Sequence, residues 1–218
     1  NDHTTEAPLA ILIKNADVKK SDYSDIKDAF RPGHADYSKF IKYGGQAYET
    51  GGGIFSGRMT VALVVAGEIA RQIHDFGISS EIIFAKANTG SQIKILAENI
   101  GPGLGQPFFD SVESVVSHIL FSVPSVKGIN FGNILETYKM SSVEALDEFY
   151  MEGEEVKTKH NHDGGVQGGI TNGMPLLINV FLKPIPTVNI DVDTLDNDFK
   201  KTSIKVSGRH DKQIANRV

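Results

Sequence analysis

Residues 51–77 read GGGIFSGRMTVALVVAGEIARQIHDFG and contain the clearest helical pattern of the chain. Ser56 can cap the first turn of such a helix, and Gly77 can end it. Six apolar residues recur at the three- and four-residue spacing of one helical face: Val61, Val64, Val65, Ile69, Ile73 and Phe76. The stretch therefore predicts a helix over residues 56–76.

Outward from this helix, apolar runs alternate between strand and helix patterns. Short apolar runs predict strands at 8–14, 81–85, 92–97, 175–183 and 188–192, and a weaker one at 203–206. Helical spacing predicts a second helix over 107–120, beginning at Pro107, and a short one over 142–149. Strands in blocks separated by helices predict an α+β fold, with helices layered against antiparallel sheets in a single domain over residues 1–218.

Composition limits the classes of function. The 218 residues are 40% hydrophobic, carry a formal net charge of -5 and include no cysteine. This balance argues against a general nucleic-acid binder, because phosphate-backbone contacts require a basic excess. The longest apolar runs, at 61–66 and 176–182, are far shorter than the roughly 20 residues of a membrane-spanning helix. We therefore expect a cytoplasmic protein with no nucleic-acid partner and no membrane partner.

The two ends of the sequence lack the usual features of natural termini. Asn1 to Glu6 contain no Met, no basic region and no apolar signal core. At the other end, only seven residues follow the Gly208-Arg209-His210-Asp211 cluster, without a closing element. We expect the chain to be incomplete at both ends.

Four loops combine glycines with a cation or a histidine. Glycines let backbone N–H groups approach a ligand, and arginine can form a forked pair with phosphate or carboxylate oxygens. The loops are Arg31-Pro32-Gly33-His34, Gly51-Gly52-Gly53 leading to Arg58, the glycines of 164–169, and Gly208-Arg209-His210-Asp211. The second opens onto a predicted helix N-terminus, which favours phosphate, although a glycine hairpin before a capped helix is the simpler interpretation.

Histidines offer two further hypotheses. His34 and His210 lie beside groups that could tune them for proton transfer near neutral pH. His160, His162 and Asp163 could serve a metal-dependent hydrolase, but a closed site needs further ligands, and a polar loop is the simpler interpretation.

Together these segments resemble chorismate synthase in order and spacing along nearly the whole chain. The matching blocks are Arg31-Pro32-Gly33-His34-Ala35-Asp36-Tyr37, Gly51 to Thr60, Gly103-Leu104-Gly105-Gln106-Pro107, Val126-Lys127-Gly128, Gly164 to Pro175, Lys183-Pro184 and Gly208-Arg209-His210-Asp211. So many ordered blocks are a more specific signal than any single loop.

The resemblance implies a homotetrameric lyase that converts 5-enolpyruvylshikimate 3-phosphate to chorismate with reduced FMN (FMNH2), and NADPH as a candidate reductant of the flavin. It implies catalytic roles in proton movement for His34 and Asp211, and substrate binding by Arg31 and Arg58. It also implies flavin contacts from Ser56, Gly57, Arg58, Lys183, Thr187 and Arg209, and no metal ligands. The compartment would be the cytoplasm, or a plastid in a plant or alga.

The sequence also departs from the family pattern. The Gly-Ser-His-Gly motif of the family's N-terminal region has no counterpart here, and Ile54 and Phe55 stand where Arg and Ser are common. A non-catalytic homologue or fragment that only binds flavin or phosphate is therefore an alternative to the active enzyme.

Overall fold

The computed structural model describes residues 6–14, 28–45, 53–206 and 214–217. Its helices are α1 Asp36–Lys42, α2 Thr60–Arg71, α3 Val112–Phe121 and α4 Ile134–Thr137. Its strands are β1 Gly77–Ala85, β2 Ser91–Glu98, β3 Val126–Phe131, β4 Phe149–Glu152, β5 Glu155–Thr158, β6 Val166–Gln167, β7 Ile170–Thr171, β8 Leu176–Leu182, β9 Asp191–Leu195 and β10 Lys201–Lys205. Short 3-10 turns cover Gly53–Phe55, Gly57–Met59, Phe108–Asp110 and Ala215–Arg217. Helices combined with antiparallel sheets confirm the predicted α+β class.

The main sheet has four antiparallel strands in the order β1-β2-β8-β3. Its register places Ile93 of β2 opposite Val180 of β8, and Val180 opposite Ile129 of β3. On this face α3 packs against the sheet through Val116 and Leu120. The buried cluster beneath the helix consists of Ile93, Val126, Ile178, Val180, Leu182 and Ala215.

The opposite face of the same sheet carries a row of amide side chains among apolar ones. Gln92 Nε2 donates to Asn179 Oδ1 at 3.2 Å, and Asn179 Nδ2 donates to Asn130 Oδ1 at 3.0 Å. These amides lie on three adjacent strands, so they join β2, β8 and β3 through side chains as well as through the backbone. The remaining strands form two-stranded antiparallel hairpins: β4 with β5, β6 with β7, and β9 with β10.

Two predicted elements are wrong. Residues 8–14 form neither strand nor helix, and Leu9 and Leu12 are 72% and 83% exposed, because apolar composition alone does not provide the paired neighbour that a strand requires. Residues 142–149 contain a turn in place of a helix. Ala145 N donates to Ser141 O at 3.1 Å, and Phe149 already begins β4.

The two long helices exist, but they begin later than predicted. Ser56 caps the 3-10 turn that precedes α2, and α2 ends at Arg71, so that Gly77 opens a strand. The helix predicted from Pro107 begins only after Ser111, whose Oγ accepts a hydrogen bond from Ser114 N at 3.1 Å. Phe108 has a φ of +67°, which is incompatible with a continuous α-helix from Pro107. The strand predicted at 188–192 is displaced to Asp191–Leu195.

In the described part of the chain, every helix is too short or too polar to traverse a lipid bilayer.

Ile178→Ala is expected to lower the free energy of unfolding by about 2–5 kcal/mol, because Ile178 is only 5% exposed in the central strand and its truncation leaves a cavity. Urea denaturation followed by circular dichroism would measure the change. Ile78→Ala in the edge strand β1 is the matched control, since Ile78 is 63% exposed, and it should cost much less. Equal losses for the two variants would contradict this position of the core.

Candidate active site

The segment before α1 is anchored by Phe30. Phe30 N donates to Leu195 O of β9 at 2.9 Å, and Thr194 Oγ1 donates to Phe30 O. The ring is 7% exposed and makes edge contacts with Phe40 at 5.2 Å and Tyr37 at 5.6 Å between centroids. These contacts fix the start of residues 31–36, which we call the His34 loop.

The base of the His34 loop is closed by Arg31 and Asp36. Arg31 Nε donates to Asp36 Oδ2 at 2.6 Å and Arg31 Nη2 donates to Oδ1 at 2.8 Å, which is a forked ion pair. Arg31 N also donates to Oδ2, at 3.2 Å. The two side chains are only 9% and 15% exposed. Asp36 and Tyr37 are the first residues of α1.

Burial raises the pKa of the Asp36 carboxyl, but the hydrogen bonds and positive charge of Arg31 outweigh burial and hold this pKa below its usual value near 3.8. A carboxyl with a lowered folded-state pKa stabilises the fold above its unfolded-state pKa, and this stabilisation is lost as the pH falls through the folded-state pKa.

Asp36→Asn is therefore expected to lower the free energy of unfolding by about 1–3 kcal/mol near neutral pH. The gap between wild type and variant should shrink below about pH 4 as the wild-type carboxyl takes up its proton. Urea denaturation at a series of pH values measures the gap. Asp198→Asn is the control, because Asp198 is 77% exposed and its pair with Lys200 is a surface one. A gap that stays constant down to pH 2 would contradict the ionised pair.

The apex of the His34 loop contacts the segment that follows β8. His34 Nε2 and Thr187 Oγ1 share a hydrogen bond at 3.0 Å, and Lys183 Nζ donates to Gly33 O at 2.5 Å. Gly33 has a φ of +76°, and a Cβ there would come within 2.7 Å of Pro186 Cβ. Glycine is thus required for this approach, both by its backbone conformation and by the available space.

Four residues singled out from the sequence are consequently brought together: Arg31, His34, Lys183 and Thr187. The group combines an imidazole, a hydroxyl and two cations at a glycine turn, and one of the cations, Arg31, is paired with Asp36. Such donors suit a polyanionic ligand.

The turn with Ser56, Gly57 and Arg58 is ordered independently of the His34 loop. Ser56 Oγ accepts from Arg58 N at 3.3 Å, and Thr60 Oγ1 donates to Gly57 O at 2.7 Å. The Arg58 side chain is exposed. No hydrogen bond or ion pair joins this turn to the His34 loop within the ranges that the structure describes. Arg209, His210 and Asp211 lie outside those ranges.

The loop with His160 and His162 is organised by a carboxylate that sequence patterns did not single out. Asp147, 8% exposed, accepts from the backbone N–H groups of His162 and Asp163, each at 3.1 Å. The two imidazoles stack with centroids 4.9 Å apart. Among the described residues, no group of three or more His, Cys, Asp or Glu is gathered as a metal site. His160, His162 and Asp163, the three residues of the hydrolase hypothesis, are therefore not gathered at one metal position.

Asp36 was also missed by sequence patterns. It stands five residues from Arg31, a spacing that belongs to neither the helical nor the strand period, so periodicity gave no reason to pair the two side chains. The only signals were its place in the family block of residues 31–37 and its position two residues after His34.

Comparison with known proteins gives one consistent result. The family model described as chorismate synthase matches residues 1–86 and 80–218. A curated chorismate synthase of Chitinophaga pinensis is 41% identical over 237 residues, covering 100% of this chain and 71% of its own length. One of Pyrococcus abyssi is 34% identical over 260 residues, covering 99% and 73%.

Among solved structures, one described as chorismate synthase superposes with a TM-score of 0.64 at 21% identity. The match covers 70% of this chain and 63% of that structure, so the chain spans less than two thirds of the solved protein. At this identity the likeness concerns the fold alone.

Proposed function

We propose, since this chain belongs to the chorismate synthase family, that it is a lyase of aromatic amino-acid biosynthesis that eliminates phosphate from 5-enolpyruvylshikimate 3-phosphate to give chorismate. The observation that carries the proposal is the meeting of His34, from one family block, with Thr187, which lies three residues after the Lys183-Pro184 block and 153 positions from His34 in the sequence. A shared family explains why such distant blocks converge on one loop.

The residues present fit a flavin mononucleotide. Gly33 packs so closely on Pro186 that there is no room for a Cβ, and beside this contact His34 Nε2 and Thr187 Oγ1 lie within hydrogen-bond distance as possible partners of the flavin. Lys183 supplies a positive charge beside them, which suits a ligand with a phosphate. When bound, reduced FMN supplies electron density that offsets the electron deficiency developing on the substrate.

The residues of this chain have distinct proposed roles. Lys183 and Thr187 hold the flavin, together with Ser56, Gly57, Arg58 and Arg209. His34 holds and moves a proton at Nε2, the atom bonded to Thr187 Oγ1.

The other charged residues act on the substrate and on protons. Arg31 and Arg58 bind the carboxylate and phosphate groups of the substrate, because guanidinium groups form forked pairs with both. Asp211 assists the proton movement. NADPH is the proposed source of electrons for flavin reduction, the assembly is a homotetramer, and the site of action is the cytoplasm.

The test is an anaerobic assay of chorismate formation from 5-enolpyruvylshikimate 3-phosphate with chemically reduced FMN. Chorismate should appear with reduced FMN and not with oxidised FMN. Binding of oxidised FMN, followed by quenching of flavin fluorescence, is measured in parallel. Tight FMN binding without chorismate would overturn the proposed activity and support the non-catalytic flavin-binding homologue.

A further inference from the structure

Asp36 is bound by one residue in three ways. Its carboxylate accepts from the backbone N, the Nε and the Nη2 of Arg31, at 3.2, 2.6 and 2.8 Å. The carboxylate thereby closes residues 31–36 into a ring with His34 near its apex. His34 N donates to Arg31 O at 3.2 Å inside this ring, which tightens it further.

The closed His34 loop is held at its apex and at its base. At the apex, Gly33 O accepts from Lys183 Nζ and His34 bonds to Thr187. At the base, Asp36 is the only side chain within the described residues that takes hydrogen bonds from the guanidinium. A shift at the base would therefore be transmitted through only a few backbone bonds to the imidazole.

The forked pair also orients the guanidinium. Nε and one N–H of Nη2 point at Asp36, and a planar guanidinium has five donors in a fixed fork. The N–H groups of Nη1 then have one defined direction. One carboxylate thus orients the remaining N–H groups of Arg31 and closes the base of the loop that carries His34.

We infer that Asp36 is a positioning residue for the reaction, which aligns the Arg31 guanidinium and the His34 imidazole in one arrangement. This inference rests on the proposed function for its kinetic consequences. The geometric part of the inference, that Asp36 sets the position of the His34 imidazole, can be tested without the activity.

The kinetic test compares Asp36→Asn, Asp36→Glu, Arg31→Ala and the double variant Arg31→Ala/Asp36→Asn. Asp36→Asn should lower kcat/KM for the phosphorylated substrate by about 10-fold to 100-fold, the scale of a misplacement of about 1 Å. Asp36→Glu keeps a carboxylate and should recover most of the loss. Because Asp36 acts through Arg31, adding Asp36→Asn to Arg31→Ala should cost less than about threefold more. A multiplicative loss in the double variant, or no recovery with Asp36→Glu, would overturn the inference.

The second readout needs no turnover. The protein is labelled with 15N-histidine, the His34 ring signals are assigned by their loss in His34→Ala, and their shifts are recorded in Asp36→Asn and Thr187→Val. Both variants should move the His34 ring signals, Thr187→Val by removing the hydrogen bond and Asp36→Asn by displacing the loop. Unchanged His34 signals in Asp36→Asn would overturn the inference even in an active enzyme. If wild type makes no chorismate, the proposed function fails while this measurement still decides the role of Asp36.

Discussion

His34→Ala is expected to lower kcat by about 100-fold to 10,000-fold, the range in which a positioned acid–base side chain contributes to catalysis. The dissociation constant for FMN should change far less, because the Lys183 ammonium and Thr187 hydroxyl remain in place. Steady-state kinetics under anaerobic conditions and quenching of flavin fluorescence give the two quantities separately. The split between them distinguishes proton handling from simple binding.

His118→Ala is the matched control for this prediction. His118 is exposed on α3 and is none of the proposed site residues, so its removal should alter neither quantity. If His34→Ala weakens FMN binding by the same factor as it lowers kcat, His34 is a binding residue and the proton role is wrong.

The sequence predicted the elements of this fold where the period of the apolar residues is itself the physical cause of the structure. Strands β2 and β8 alternate or run continuously apolar because they form the buried middle of the sheet, and both were predicted to within one residue. Helix α3 was predicted in its body, where Val116 and Leu120 face the core. Its start was not, because Pro at a first helical position is only a preference, whereas the positive φ of Phe108 and the cap from Ser111 are set by the loop geometry.

The candidate site shows a similar division. Family blocks indicated which residues to consider, and the glycines of the loops indicated that a ligand could come close to their backbone. The pairing of His34 with Thr187 joins positions 153 residues apart, and no local pattern encodes such a distance. The Arg31–Asp36 pair is local, yet it depends on how a loop closes and not on a repeating period. Side-chain partners within loops are therefore the information that the three-dimensional structure adds.

Arg58→Ala is expected to raise the KM for the phosphorylated substrate by about 10-fold to 100-fold, since a hydrogen bond to a charged group contributes about 1.5–3 kcal/mol. The exposed guanidinium leaves the fold unaffected when it is removed. The turn itself depends on the backbone N–H of residue 58, which donates to Ser56 Oγ and is retained in Arg58→Ala. The loss should therefore appear in substrate binding, without a change in the free energy of unfolding.

Two comparisons separate charge from shape in this prediction. Arg58→Lys keeps the charge but loses the fork, so its KM should lie between those of wild type and Arg58→Ala. Arg71→Ala removes a guanidinium from the end of α2 that is 68% exposed and pairs with Glu68, and it should leave KM unchanged. If Arg71→Ala raises KM as much as Arg58→Ala does, the effect is one of general surface charge. An unchanged KM in Arg58→Ala would show that Arg58 does not bind the substrate, and would leave Arg31 as the remaining arginine proposed to bind it.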